Sequence, residues 1–169
     1  MKRLVYNYAK RLVSPSSGPT NLTFFVTGAC AFQCKTCFYW HHLNEADNEL
    51  TLDEIERLAP SLAGCSWIAL TGGEPLQRRD FGGVLEAVMR KARPPYLTLV
   101  TNGFHPKRLE ESLRNALPFL DGGVLRVSVS LDGVGALHDE IRGVPGSLSA
   151  RSKVCACCTR SAERTPDFR

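Results

Sequence analysis

The sequence predicts an α/β fold built on a parallel sheet, and three observations predict it. Apolar, β-branched segments alternate four times with amphipathic helical ones. Each strand-like segment runs at once into a polar turn carrying glycine or cysteine. The chain has 169 residues, 43% hydrophobic and 22% charged, which suits one globular domain with a real core. Alternation of this kind goes with parallel strands joined by right-handed crossovers.

The elements follow in order. "NLTFFVT", Asn21 to Thr27, is β-branched and aromatic and follows a Pro/Ser/Gly break, so it reads as the first strand. "TLDEIERLAPSLA" opens with Thr51 and places Glu54 three residues on, the signature of a capping box. Leu52, Ile55, Leu58 and Leu62 give that helix one apolar face, which Pro60 bends or shortens. "SWIAL" (Ser66–Leu70) is a second strand ending at "TGGEP". Asp80 is placed to cap a helix through "FGGVLEAVMRKA". "YLTLV" (Tyr96–Val100) is a third strand ending at "TNG", and "PKRLEESLRNAL" is a helix with Pro106 in its first turn. "VLRVSVSL" (Val124–Leu131) is a fourth strand ending at "DG".

In parallel α/β sheets, ligands bind at the carboxyl ends of the strands. Four polar turns, CxxxCxxC, GGEP, TNG and SLDG, therefore gather on one rim. Singly, each has a bland reading: TNG and Asp132–Gly133 as plain turns, Glu74 as an exposed turn carboxylate. Their convergence in strand order carries the weight.

Composition removes several function classes. No apolar run approaches the ~18–20 residues of a membrane span. "MKRLVYNYAKRLV" is basic without a continuous apolar stretch, which fits a short docking helix better than a signal peptide or a membrane-surface helix. Seven cysteines, an odd number without a secretory signal, favour a metal or redox role in a reducing cytoplasm over a disulfide framework. Of the net charge of +4, +3 sits between Arg151 and Arg169, so no basic surface stripe argues for nucleic acid. Cys65, just before a strand, reads as a small buried apolar residue.

Cys30, Cys34 and Cys37 form one compact thiolate group. Thiolates suit zinc, copper(I) or iron–sulfur clusters. Structural zinc wants four closed ligands, for which His41 or His42 is the nearest addition. The other solution is a cluster held at three corners, its fourth iron open to a small molecule, as in catalytic metal sites that keep a free position.

The motifs "CAFQCKTC" at 30–37, "TGGEP" at 71–75, "TNG" at 101–103, "SLDG" at 130–133 and "HDEIRG" at 138–143 resemble those of the radical S-adenosylmethionine (SAM) superfamily, over about Asn21 to Gly146. The resemblance implies a partial (β/α) barrel of about six βα units, short of the eight of a closed one, of which four are readable here. It implies an oxidoreductase-type enzyme holding a four-iron, four-sulfide cluster on Cys30, Cys34 and Cys37. The amino and carboxylate groups of SAM chelate the fourth iron, and an electron from the cluster cleaves SAM to methionine and a 5′-deoxyadenosyl radical, which abstracts hydrogen from a substrate. Carried over, Gly72, Gly73, Glu74 and Pro75 meet the methionine amino group. Thr101 and Asn102 reach its carboxylate or the ribose. Ser130 and Asp132 suit the ribose hydroxyls. Arg142 pairs with a SAM carboxylate or braces the rim. The implied partners are a small-molecule or peptide substrate, in cofactor biosynthesis or peptide maturation, and an electron donor such as flavodoxin or ferredoxin.

The sequence departs from the family in three places. Thr36 stands where an aromatic residue often packs near adenine, leaving Phe38, Tyr39 or Trp40 as substitutes. Only four units are readable. After "IRGVPGS" the segment 149–169 turns polar and basic, with Cys155, Cys157 and Cys158 in a cramped spacing. That change reads as an auxiliary cluster site or, preferably, as loss of the normal chain by a frameshift or a misjudged end of the coding frame. The expected organisation is an extension at 1–20, a truncated core at 21–148 and an irregular tail at 149–169. Such a fragment leaves its last strand edge open to aggregation. Two further readings compete: a non-catalytic protein that keeps the cluster and SAM site, and a small zinc module.

Overall fold

The computed structural model describes residues 19–45 and 49–150, together with Val5, Tyr6, Ala9 and Val154. The proposed docking helix at the N-terminus and Cys155, Cys157 and Cys158 lie otherwise outside the described residues.

Four strands form one parallel sheet in sequential order: β1 Asn21–Thr27, β2 Trp67–Gly72, β3 Tyr96–Thr101 and β4 Val124–Val129. The helices between them are α1 Leu52–Leu58, α2 Phe81–Ala87 and α3 Pro106–Ala116, and α4 Ala136–Arg142 follows β4. The predicted alternation is therefore the observed one, with α4 added.

Register explains which face is covered. Leu22, Ile68, Leu97 and Leu125 form one row across the sheet, and Phe24, Leu70, Leu99 and Val127 the next. These rows join Ile55, Phe81, Val84, Leu85, Leu109 and Leu113 of the helices in a single core. Alternate strand positions point to opposite faces. The other face carries Phe25, Trp67, Val124 and Arg126, all exposed among the described residues. So, among the described residues, α1, α2 and α3 pack on one face of the sheet.

Local rules hold at most boundaries. The capping box of α1 is present: Glu54 N–H donates to Thr51 Oγ1 at 3.3 Å, and Thr51 N–H donates to Glu54 Oε2 at 2.8 Å. Thr51→Ala should lower stability by about 1 kcal/mol, read as a shift in the urea midpoint at unchanged slope. Pro60 shortens the helix as expected, into the 3-10 turn Ala59–Leu62. α2 ends the opposite way, widening into a π turn at Val88–Ala92.

Three expectations are corrected. Asp80 makes no side-chain cap on α2, because the half-buried ion pair with Arg78 takes its carboxylate at 2.7 and 3.1 Å. Arg78 in turn donates to Val26 O at 2.7 Å, tying the end of β1 to the turn after β2. β4 stops at Val129, two residues before the expected end, with Ser130 N–H still donating across to Thr101 O of β3 at 3.0 Å. The segment expected to be irregular from residue 149 begins as helix: 147–150 and Val154 are helical, and Val154 is buried in the core. Asp139 starts that turn by accepting from Gly146 N, Ser147 Oγ and Leu148 N at 2.6–2.9 Å. The same donors hold its carboxyl below the ordinary aspartate range, led by the Leu148 N–H. This contribution is present above the ordinary aspartate value and is lost as pH falls through the lowered one. The protection factor of the Leu148 amide, taken against the intrinsic exchange rate at each pH, should therefore fall on acidification in the wild type and be low at every pH in Asp139→Ala.

Among the described residues no helix is long and apolar enough to cross a membrane.

Candidate functional site

The carboxyl ends of the four strands enclose an open cavity of about 230 Å³. Cys30, Cys34, Cys37, Gly72, Gly73, Glu74, Thr101, Asn102, Ser130 and Arg142 all line it. The gathering of four turns on one rim is thus present in space.

The backbone brings them together. β1 is irregular between Phe25 and Thr27, so that Thr27 pairs with Gly72. Pairing then continues past both strands: Gly73 N–H donates to Thr27 O, and Glu74 N–H to Ala29 O, each at 2.8 Å. The cysteine loop is laced directly over the GGE turn. Only glycine allows that approach, because a Cβ on Gly72 would stand 2.2 Å from Thr27 O, and one on Gly73 2.4 Å from Ala29 O.

Two residues that motif reasoning missed close the cysteine loop. Asn44, at φ +64°, accepts from Cys30 N–H at 3.0 Å and donates to Cys30 O at 3.2 Å. Glu49 accepts from Thr27 Oγ1 at 2.7 Å and Gly28 N at 2.6 Å. Left-handed geometry at Asn44 is a recognisable loop signal. Glu49 has no local signal, since its partners lie 21 and 22 residues back.

Glu74 is the electrostatic centre. It is 1% exposed, and its carboxylate accepts from Thr101 Oγ1 at 2.7 Å, Leu76 N at 3.1 Å and Asn102 N at 2.6 Å. Burial pushes its carboxyl up, and the three donors and the more distant Arg142 only partly offset this. Among the described residues no cationic side chain forms an ion pair with it. A carboxylate has about four acceptor sites, and one on Oε2 remains. Asn102 offers the complementary group. Its Oδ1 accepts from Phe104 N at 2.9 Å, while its buried Nδ2 has no partner. An orphaned buried donor beside a buried anion short of a cation fits a zwitterionic ligand.

The remaining predicted residues divide. Thr101 spends its hydroxyl on Glu74, so it positions the carboxylate. Pro75 is buried behind the cavity, opening a 3-10 turn. Asp132 does not line the cavity: its carboxylate sits 2.5 Å from Arg142 Nε, and its N–H donates to the buried His138 Nδ1 at 3.2 Å. Phe38 lines the cavity with Thr36 and is 86% exposed, whereas Tyr39 packs on Phe25 and Trp40 on His41.

The three thiols line one cavity, the arrangement a cluster held at three corners needs. Burial pushes the Cys30 thiol up, offset in part by the Phe32 N–H donated to its sulfur at 3.4 Å. Cys65 is buried in the core, as expected. His41 and His42 do not line the cavity, and His42 faces Glu45 at 3.3 Å. Among the described residues no three His, Cys, Asp or Glu converge on a single-ion site, so the zinc module finds no fourth ligand here.

The comparisons agree with this geometry. The family model described as Radical SAM superfamily matches residues 24–161. The chain is 31% identical over 149 residues to an AdoMet-dependent heme synthase of Oleidesulfovibrio alaskensis, covering 84% of this chain and 36% of that protein. It is 38% identical over 128 residues to a GTP 3′,8-cyclase of Paracoccus denitrificans, covering 72% of this chain and 35% of that protein. The chain thus spans little more than a third of the length of these relatives. Among solved structures, Streptococcus suis SuiB bound to S-adenosylmethionine superposes with a TM-score of 0.65 at 20% identity, over 96% of this chain and 36% of that one. SuiB bound to the precursor peptide SuiA gives the same score. The likeness to SuiB concerns the fold, and the curated relatives carry the family. With its three cysteines, its GGE turn and its strand ends on one rim, the chain belongs to the radical SAM superfamily, a family of enzymes that work with a [4Fe-4S] cluster and S-adenosylmethionine.

Proposed function

We propose that this chain provides the cluster- and SAM-binding part of a radical SAM enzyme acting on a small molecule in cofactor assembly. The observation that carries the binding half is the pairing of buried Glu74, short of a cation, with the orphaned Asn102 Nδ2 in the cavity lined by the three cysteines. The substrate class rests on the named relatives, a heme synthase and GTP cyclases, at 31–38% identity. Peptide maturation has only the fold of SuiB behind it.

Cys30, Cys34 and Cys37 would hold three irons. When bound, the cluster supplies one electron to the sulfonium of SAM, which supplies the hydrogen-abstracting 5′-deoxyadenosyl group. The chain's own residues orient that pair. The Gly72 and Gly73 backbone and the free acceptor site of Glu74 receive the methionine amino N–H groups. Asn102 Nδ2 donates to the methionine carboxylate or a ribose oxygen, and Ser130 offers a hydroxyl to the ribose. Asp132 acts through Arg142 instead of touching the ribose. Phe38 supplies the face for adenine. Base–aromatic stacking is worth about 1–3 kcal/mol, so Phe38→Ala should weaken SAM binding about tenfold by calorimetry, without loss of iron. A flavodoxin- or ferredoxin-type donor would reduce the cluster.

The test is electron paramagnetic resonance on anaerobically reconstituted, dithionite-reduced protein. A reduced four-iron signal that changes on adding SAM is expected. A four-iron signal indifferent to SAM would leave a cluster protein without the SAM site, and zinc without acid-labile sulfide would sink the proposal.

A further inference from the structure

The last turn of α4 lies directly on the cysteine loop. Lys35 N–H donates to Ile141 O at 2.8 Å, and Lys35 Nζ pairs with Glu140 Oε1 at 2.6 Å. Gly143, at φ +69°, leaves no room for a side chain, since a Cβ there would meet Gln33 O at 2.9 Å. Between these contacts Arg142 turns inward, its side chain 13% exposed. Nε stands 2.5 Å from Asp132 Oδ2, and Nη1 donates to Cys34 Sγ at 3.6 Å. Asp132 is itself fixed through its N–H to His138. The guanidinium is thus held from behind by a carboxylate and aimed at one sulfur.

The donors to the Cys30 and Cys34 sulfurs differ in kind. Cys30 Sγ receives a neutral backbone N–H from Phe32, whereas Cys34 Sγ receives a charged one. Resting on the cluster reading of this site, we propose that Arg142 sets the reduction potential of the cluster through its hydrogen bond to Cys34 Sγ. The step concerned is the one-electron reduction of the cluster by an external donor, which adds one negative charge and breaks no bond. A cationic donor at a ligand sulfur stabilises the more negative, reduced form more than the oxidised one. It therefore raises the potential. Asp132 keeps the fork oriented, as outer groups do for metal ligands generally.

The experiment is a redox titration of the reconstituted protein without SAM, followed by electron paramagnetic resonance, on wild type, Arg142→Gln and Arg142→Lys. At the potential where wild type is half reduced, Arg142→Gln should show a reduced-to-oxidised ratio about tenfold lower, which for a one-electron couple is 59 mV. Arg142→Lys, which keeps the charge but not the fork, should fall between. Iron and sulfide content should stay near wild type. Equal midpoints in all three proteins, with full clusters, would overturn the proposal and leave Arg142 as a brace. Wild type labelled with ¹⁵N in its arginine side chains gives a readout that needs no variant to fold: nitrogen hyperfine coupling to the reduced cluster is expected, and its absence overturns the hydrogen bond. A wild type with no four-iron signal at all would instead remove the cluster reading, and this proposal with it.

Discussion

Glu74→Ala should destabilise the protein by on the order of 4 kcal/mol and abolish measurable SAM binding. The carboxylate is buried and accepts from Thr101 Oγ1, Leu76 N and Asn102 N. Removing it strands two backbone donors and a hydroxyl in a place water does not reach. Each buried donor left alone costs about 1–3 kcal/mol, and part of that relaxes into the cavity. Glu74→Gln should be milder in stability, keeping one acceptor oxygen, yet it aims an NH2 at one of the same donors and removes the charge proposed to meet the methionine amino group. Its SAM affinity should still fall more than tenfold. A pH series isolates the charge. Burial raises the Glu74 carboxyl in the folded chain, so between the ordinary glutamate value and the raised one the folded form holds a proton that the unfolded form has lost. That contribution is full below the ordinary value and is lost as pH rises through the raised one. Urea midpoints of wild type should carry this slope, and those of Glu74→Gln should not. A Glu74→Gln protein with the same pH slope and the same SAM affinity would remove Glu74 from the centre of the site.

Much of this arrangement was legible in the residues, and the unread parts share a physical cause. Strand positions followed from β-branched runs, and the rim followed from turns placed after each run. The capping box at Thr51 and Glu54 was local and came through intact. The misses were long-range. Asp80 has the residue type of a cap, but Arg78 competes for the same carboxylate and wins. Asp132, expected from its motif to suit the ribose, pairs in the fold with the arginine ten residues on. Glu49 and Asn44 belong to no motif, and only the fold sets them against the start of the cysteine loop. The polar composition after residue 148 hid Val154, whose single apolar side chain is enough to reach the core. Tertiary partners decide such residues, and the chain-local signals that mark helices and strands say nothing of them.

Gly73→Ala should have the second large effect, for a reason independent of charge. The Cβ it adds would stand 2.4 Å from Ala29 O and 2.8 Å from Gly28 O, both backbone atoms of the cysteine loop. A backbone cannot swing aside as a long side chain can. The loop and the GGE turn must part, and the two hydrogen bonds that lace them, from Gly73 N to Thr27 O and from Glu74 N to Ala29 O, must stretch. Overpacking of this kind costs about 1–3 kcal/mol, and each lost bond about 1 kcal/mol more. A destabilisation of about 3–4 kcal/mol is expected, together with loss of most of the iron, because Cys30 follows Ala29 directly. Gly122→Ala separates sterics from backbone strain: its φ is +67°, yet nothing lies within 4 Å of the added Cβ. It should cost about 1 kcal/mol and leave cluster loading unchanged. Denaturant midpoints and iron and sulfide assays on the two variants decide the matter. Full cluster loading in Gly73→Ala would mean that the loop holds its cysteines without the turn beneath it, and that the close approach of the two backbones is not what builds the site.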